Sequence, residues 1–261
     1  MRRILLAIVL TTAAAPALAK MQTKPVEWQV EGQTFSGVLV YDDAAKKPMP
    51  GLVMFPNWRG VNESAVEKAK KIAGDDYVVL VADMYGAGVR PKDNAEAGKQ
   101  AGALYADVPR MRARAKAALD ALRGQQGVRL DAARIGAFGF CFGGSNVIEL
   151  VRAGEPLAGA VSLHGGLNTT HRARPGTAKT PLLVLNGAAD KAVTAADKLF
   201  FQQEMDAAGA DWQFVDFSGA VHCFAEADAG NDPASNCRYD ARAAKRAYEA
   251  MDDFFEERFD D

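Results

Sequence analysis

Short, nearly continuous apolar runs alternate along this chain with longer segments whose apolar residues recur every three or four positions. That alternation predicts parallel strands covered by helices on both faces. Strands are expected at Gly51 to Phe55, Tyr77 to Ala82, Arg134 to Phe140, Leu157 to Leu163, Pro181 to Asn186 and Trp212 to Phe217. Their middle members lack polar alternation, as strands buried on both faces do. Glu27 to Val30 and Thr34 to Tyr41, joined around Gly32, read instead as an antiparallel edge hairpin. Helices belong between the strands. Asn62 can cap one that stops at Gly74, Ala95 to Arg123 holds one or two with a break near Pro109, and Ser145 to Val151 starts another. Thr194 can cap a helix ending before Gly209, and the last runs from about Tyr239 to Phe259. On it Ala244, Ala247, Tyr248, Met251, Phe254 and Phe255 form a core-facing stripe. The expected fold class is α/β, with about eight mostly parallel strands in one domain.

The first nineteen residues stand apart from that pattern. Arg2 and Arg3 precede an apolar run from Ile4 to Leu10, and Ala17-Leu18-Ala19 supplies a small-residue cleavage site before Lys20. This reads as a cleaved signal peptide over 1–19 with the domain over 20–261, and the run is too short and too interrupted for a stable membrane anchor. The expected location is across the inner membrane, in the periplasm. Composition changes little else. In 261 residues, 31 Lys and Arg face 33 Asp and Glu, a formal charge of -2 that gives no general attraction for nucleic acid. The oligomeric state is not legible.

Candidate chemistry centres on Gly139-Phe140-Cys141-Phe142-Gly143-Gly144, directly after an apolar strand and before a helical segment. This is the setting of a nucleophile elbow, with cysteine where most hydrolases carry serine. A helix N-terminus offers unpaired N–H groups and partial positive charge, which favour an anion; the Phe142 N–H stands where an oxyanion would need it. A buried, inert cysteine in a glycine-rich turn is the plainer alternative. Three histidines are available as base. His222 follows the last strand, His164 ends an earlier one and suits a pocket or structural role, and His171 lies in a polar segment. Asp190, after the strand Pro181 to Asn186, completes the order nucleophile, acid, histidine. Asp83 is the rival acid, although it lies upstream of the cysteine.

With Gly187-Ala188-Ala189-Asp190, Gly219-Ala220-Val221-His222-Cys223-Phe224 and Ala82-Asp83-Met84-Tyr85-Gly86, the elbow makes an ordered set of motifs. The set resembles the dienelactone hydrolase family from about Glu27 to Phe259. The resemblance implies an α/β-hydrolase fold, small esters or lactones as substrates, and Cys141 as nucleophile, His222 as base and Asp190 as acid. Two positions depart from it. Where dienelactone-cleaving members carry a glutamate that activates the thiol stands Asn57, which can hydrogen-bond but cannot take a proton. Gly86-Ala87-Gly88 stands where such enzymes hold an arginine for a substrate carboxylate, and Arg90 comes a few residues late. Trp58 N–H, after the first parallel strand, is a second oxyanion donor, and Asn57, His164 and Tyr85 are pocket candidates. The chemistry calls for no metal and no organic cofactor.

Export gives the other cysteines a reading. Cys223 and Cys237 bracket a polar loop beside His222, where a disulfide would brace the histidine. A second functional reading is a binding or scaffold protein that keeps the fold and has lost hydrolysis, as Asn57 permits. Thiol redox chemistry is remote without a C-x-x-C pair.

Overall fold

The computed structural model describes residues 21–260; the proposed signal peptide lies outside the described residues. The strands form one eight-stranded sheet, β1 (Met21–Val30), β2 (Gln33–Asp42), β3 (Met49–Phe55), β4 (Val78–Val81), β5 (Leu130–Phe140), β6 (Ala160–Leu163), β7 (Leu182–Gly187) and β8 (Trp212–Phe217). Their spatial order is β1-β2-β4-β3-β5-β6-β7-β8. The β1–β2 and β2–β4 pairs are antiparallel and the rest parallel. The hairpin is longer than its sequence pattern suggests. Val30 pairs with Gln33 across a two-residue turn in which Glu31 and Gly32 both take positive φ, the twist that suits a tight hairpin. Cross-strand pairing then carries β1 back to Met21, and Pro25 is tolerated there because β1 is an edge.

The helices are α1 (Glu63–Ala73), α2 (Asn94–Tyr105), α3 (Val108–Arg123), α4 (Phe142–Ala153), α5 (Ala195–Ala208) and α6 (Ala241–Asp260). Asn62 caps α1 through a 2.8 Å bond from the Ala65 N–H, and Thr194 forms a capping box on α5. Asp93 and Asp107 cap α2 and α3 separately, so the expected break falls just before Pro109. Several boundaries shift: β3, β5 and α4 begin earlier than expected, at Met49, Leu130 and Phe142, and β6 and α6 begin later. β6 begins at Ala160 because the apolar Leu157 belongs to the connection, its N–H bonded to the Thr180 hydroxyl. α6 begins at Ala241 because Asp240 receives the N–H groups of Arg242 and Ala243.

Strand alternation sorts the core into two layers. Leu52 and Met54 of β3 face α1 and α6, packing with Ala65, Ala69, Met251 and Phe255, whereas Val53 and Phe55 face α2 to α5 with Leu104, Met111, Val147 and Phe201. Both faces are apolar, so polar side chains are displaced to the strand ends. Residues 56–58, 141, 164, 190 and 222 all follow the carboxyl ends of parallel strands, the rim where sheets of this type bind ligands.

Candidate active site

Local sterics explain the elbow. Cys141 takes φ 53° and ψ −116° between β5 and α4, a strained conformation for a residue with a side chain. A Cβ on Gly139 would land on the Gly143 carbonyl, and one on Gly143 would strike the carbonyls of Phe55 and Pro56. Glycine at these two places lets the turn after β3 lie against the first turn of α4. Trp58 and Phe142 follow directly on the two segments that meet there, and neither N–H donates a hydrogen bond outside the regular elements among the described residues.

Cys141, only partly buried, places Sγ 3.0 Å from His222 Nε2, and His222 Nδ1 lies 2.7 Å from Asp190 Oδ2. The other Asp190 oxygen accepts the Ala192 N–H at 2.8 Å and Asn236 Nδ2 at 3.0 Å. Burial works against charge on His222, but its bonds to Asp190 and to the Cys141 sulfur outweigh this and push its pKa up to about 10. Burial would raise the Asp190 carboxyl, yet the bond from His222 holds it below the ordinary range. An imidazole gripped by a carboxylate on one nitrogen and facing a thiol with the other can move a proton between sulfur and a bound substrate.

The disulfide Cys223–Cys237 is present. It sets Asn236 against Asp190 and brings Cys237 into a parallel bridge with His222, while the Arg238 N–H bonds the His222 carbonyl at 3.1 Å. Asn236 was not singled out by its residue type. Its place beside a cysteine expected to bridge to the residue after His222 is the signal that could have found it.

Three expected pocket residues stand behind the reactive spot. His164 is fully buried; its Nδ1 accepts the Cys141 N–H at 3.1 Å, and desolvation, helped by the nearby His222 charge, keeps it neutral. Tyr85 is buried, stacks on Phe142 and donates its hydroxyl to the Trp58 carbonyl at 2.9 Å. Asn57 has both ends of its amide engaged, Nδ2 on Glu226 at 2.6 Å and Oδ1 on the Arg59 N–H at 3.0 Å. The rival acid Asp83 is spent on the N–H groups of Ser36, Tyr85 and Gly86. Arg90 lies against Asp83 and the Ser36 carbonyl and is not free for a substrate carboxylate. A cavity of about 270 Å³ opens beside α4, lined by Tyr105, Val108, Met111, Ser145, Glu149 and residues 168–170. Ser145 sits one helical turn after Cys141 and bonds the Tyr105 hydroxyl at 3.0 Å.

A model of the dienelactone hydrolase family matches residues 35–259. The chain belongs to the dienelactone hydrolase family. A solved dienelactone hydrolase-like protein from metagenomic libraries, described as a promiscuous phosphotriesterase, is 34% identical, covers 92% of this chain and 99% of its own, and superposes with a TM-score of 0.85. Dienelactone hydrolase from Anabaena variabilis shares the fold at 18% identity and a TM-score of 0.63, over 91% of this chain and 98% of its own. An uncharacterized Caenorhabditis elegans protein is 31% identical over 58% of this chain and 95% of its own length. Membership and fold make this dienelactone hydrolase relative a hydrolase with a small-molecule substrate.

Proposed function

We propose that the protein hydrolyses neutral carboxylic esters or lactones through a Cys141-His222-Asp190 triad and a covalent acyl-enzyme. The observation that carries this reading is the unbroken chain of contacts from Sγ through imidazole to carboxylate on the strand-end rim. The Cys141 thiolate attacks the carbonyl carbon, forming a C–S bond as the carbonyl electron pair moves to oxygen. The Phe142 and Trp58 N–H groups hold that oxyanion. Its collapse breaks the carbon–oxygen bond, and His222 Nε2 gives its proton to the departing alkoxide. Neutral His222 then takes a proton from water, hydroxide attacks the thioester, and thiolate leaves. Asp190 keeps the imidazole oriented throughout.

Neutral substrates fit because Arg90 is committed to Asp83 and the Ser36 carbonyl, and, among the described residues, no cationic side chain lines the cavity beside Ser145. Cleavage after Ala19 and residence in the periplasm complete the proposal, in keeping with the disulfide. The name of the 34% identical relative makes phosphotriesters the second substrate class to assay.

Cys141→Ala, assayed on p-nitrophenyl acetate, is expected to lose at least about 1,000-fold in kcat, the scale on which loss of a covalent nucleophile acts. Full turnover in that variant overturns the reading. Saturable binding of small esters by the wild type with no turnover favours the scaffold alternative.

A further inference from the structure

Behind the turn after β3 lies a buried charged cluster that the triad does not use. Glu226, 2% exposed, sits in the disulfide-closed loop four residues after His222. Its Oε2 accepts Asn57 Nδ2 at 2.6 Å and Lys68 Nζ, from α1, at 2.9 Å, and Lys68 also reaches Asp228 at 2.8 Å. Desolvation raises the Glu226 pKa against the pull of Lys68, so the buried carboxyl is held at a cost.

Asn57 is the hinge between this cluster and the oxyanion site. The peptide joining Asn57 to Trp58 is planar and trans, so its C=O and N–H point in opposite directions. The Asn57 carbonyl is fixed by the Gly60 N–H at 2.9 Å, and the Asn57 side chain is fixed by Glu226 and by the Arg59 N–H. Rotating the side chain off Glu226 would release the turn and swing the Trp58 N–H. We propose that Glu226 is a positioning residue that acts through Asn57 to aim the Trp58 N–H at the substrate oxyanion. The proposal rests on the ester-hydrolase reading. It also gives Asn57 a task that needs no proton transfer: a donor to a carboxylate from the opposite loop. One disulfide-closed loop, beginning directly after the base, then orients the acid through Asn236 and steadies the oxyanion turn.

The test is steady-state turnover of p-nitrophenyl acetate, with thermal unfolding, for Asn57→Ala, Asn57→Asp and the double variant Asn57→Asp/Glu226→Gln. A carboxylate at position 57 faces Glu226 with like charge, whereas the double variant relieves that repulsion: the new amide N–H at position 226 can face the carboxylate at position 57, with its carbonyl oxygen left to take over the Lys68 bond that the same Glu226 oxygen accepts in the wild type. Removing a whole oxyanion donor costs about 100- to 1,000-fold in kcat. A misaimed donor should cost less: about tenfold for Asn57→Ala and more for Asn57→Asp, with KM within about threefold because the donor acts on the transition state. The double variant should recover kcat to within about fivefold of wild type. Asn57→Ala creates no buried charge, so it reports even where Asn57→Asp unfolds. Wild-type kcat in folded Asn57→Ala overturns the proposal, as does a folded double variant no faster than Asn57→Asp. Failure of the ester-hydrolase reading is distinct, since it shows in the parent protein as turnover that survives Cys141→Ala, and it overturns this proposal too.

Discussion

Two buried charge clusters flank the elbow, and they are built differently. On the α4 side, Arg152 forks onto Glu204 at 3.0 and 2.8 Å, reaches Glu149 at 2.9 Å and donates to the Leu167 carbonyl at 2.6 Å. Arg112 holds the second Glu149 oxygen at 2.7 Å and bonds the His171 carbonyl. Two guanidinium groups meet two carboxylates, and the surplus donors tie down the loop after β6. On the α1 side, one Lys68 ammonium serves Glu226 and Asp228, and Glu226 also receives a bond from the neutral amide of Asn57. The first cluster is balanced in charge and clamps a loop through several backbone contacts. The second is short of positive charge and directs one bond at the turn that carries the Trp58 N–H. Matched charge secures a loop through many contacts, whereas the second cluster reaches its turn through a single directed bond.

The largest break in this comparison is Arg152→Met. It leaves Glu204 and Glu149, both nearly fully buried, without their shared partner, and loss of one member of such a group costs about 3–5 kcal/mol. Urea unfolding should show that loss, and kcat on p-nitrophenyl acetate per folded molecule should fall less than in Asn57→Ala. A stability change under about 1 kcal/mol would make the α4 cluster no firmer than a surface ion pair.

Removing the disulfide comes next. Cys223→Ser/Cys237→Ser releases a loop closed across a sequence separation of 14, for which chain entropy gives about 3 kcal/mol at most. Because the same loop carries Asn236 and Glu226 and begins directly after His222, kcat should fall together with stability. In Arg152→Met the fall should lie mainly in stability, so the ratio of the two effects separates the clusters. A disulfide-free protein with wild-type kcat would show that the loop's hydrogen bonds hold their geometry unaided.

Much of this arrangement was legible in the chain because it rests on local rules. The elbow is announced by glycines that only a strand-turn-helix crossing requires, and the order Cys141, Asp190, His222 follows from which strand ends precede them. Helix starts at Asn62 and Thr194 were readable from capping chemistry. What stayed hidden is the product of long-range packing. Glu226 meets Asn57 across 169 positions of sequence and Arg152 meets Glu204 across 52, and no periodicity encodes which buried carboxylate finds which partner. Asn57 therefore read as a pocket residue and a lost glutamate, when its amide is half of a buried pair. His164 and Tyr85 follow strand ends that the sequence marks, but the side each side chain takes is decided by distant partners: the Cys141 N–H and Phe224 for His164, Phe142 and the Trp58 carbonyl for Tyr85.

The smallest expected effect concerns the pair between the clusters. His222 is raised from the ordinary imidazole value to about 10 because the Asp190 bond and the Cys141 sulfur overcome its burial. A group whose pKa is raised on folding contributes stability that is complete below its unfolded value, near 6.5, and is lost as pH rises through the folded value. Asp190 has the opposite sign: it is lowered on folding, so its contribution is present above the ordinary carboxyl range and disappears as pH falls through the folded value. The triad therefore favours the folded state most strongly between these limits. Cys141→Ala removes the sulfur's share of the His222 shift but keeps that of Asp190. The His222 pKa, followed by NMR titration of its imidazole, should therefore be lower in Cys141→Ala than in the wild type while staying above the ordinary imidazole value. An unchanged pKa in that variant would mean that Asp190 alone holds the imidazole charge.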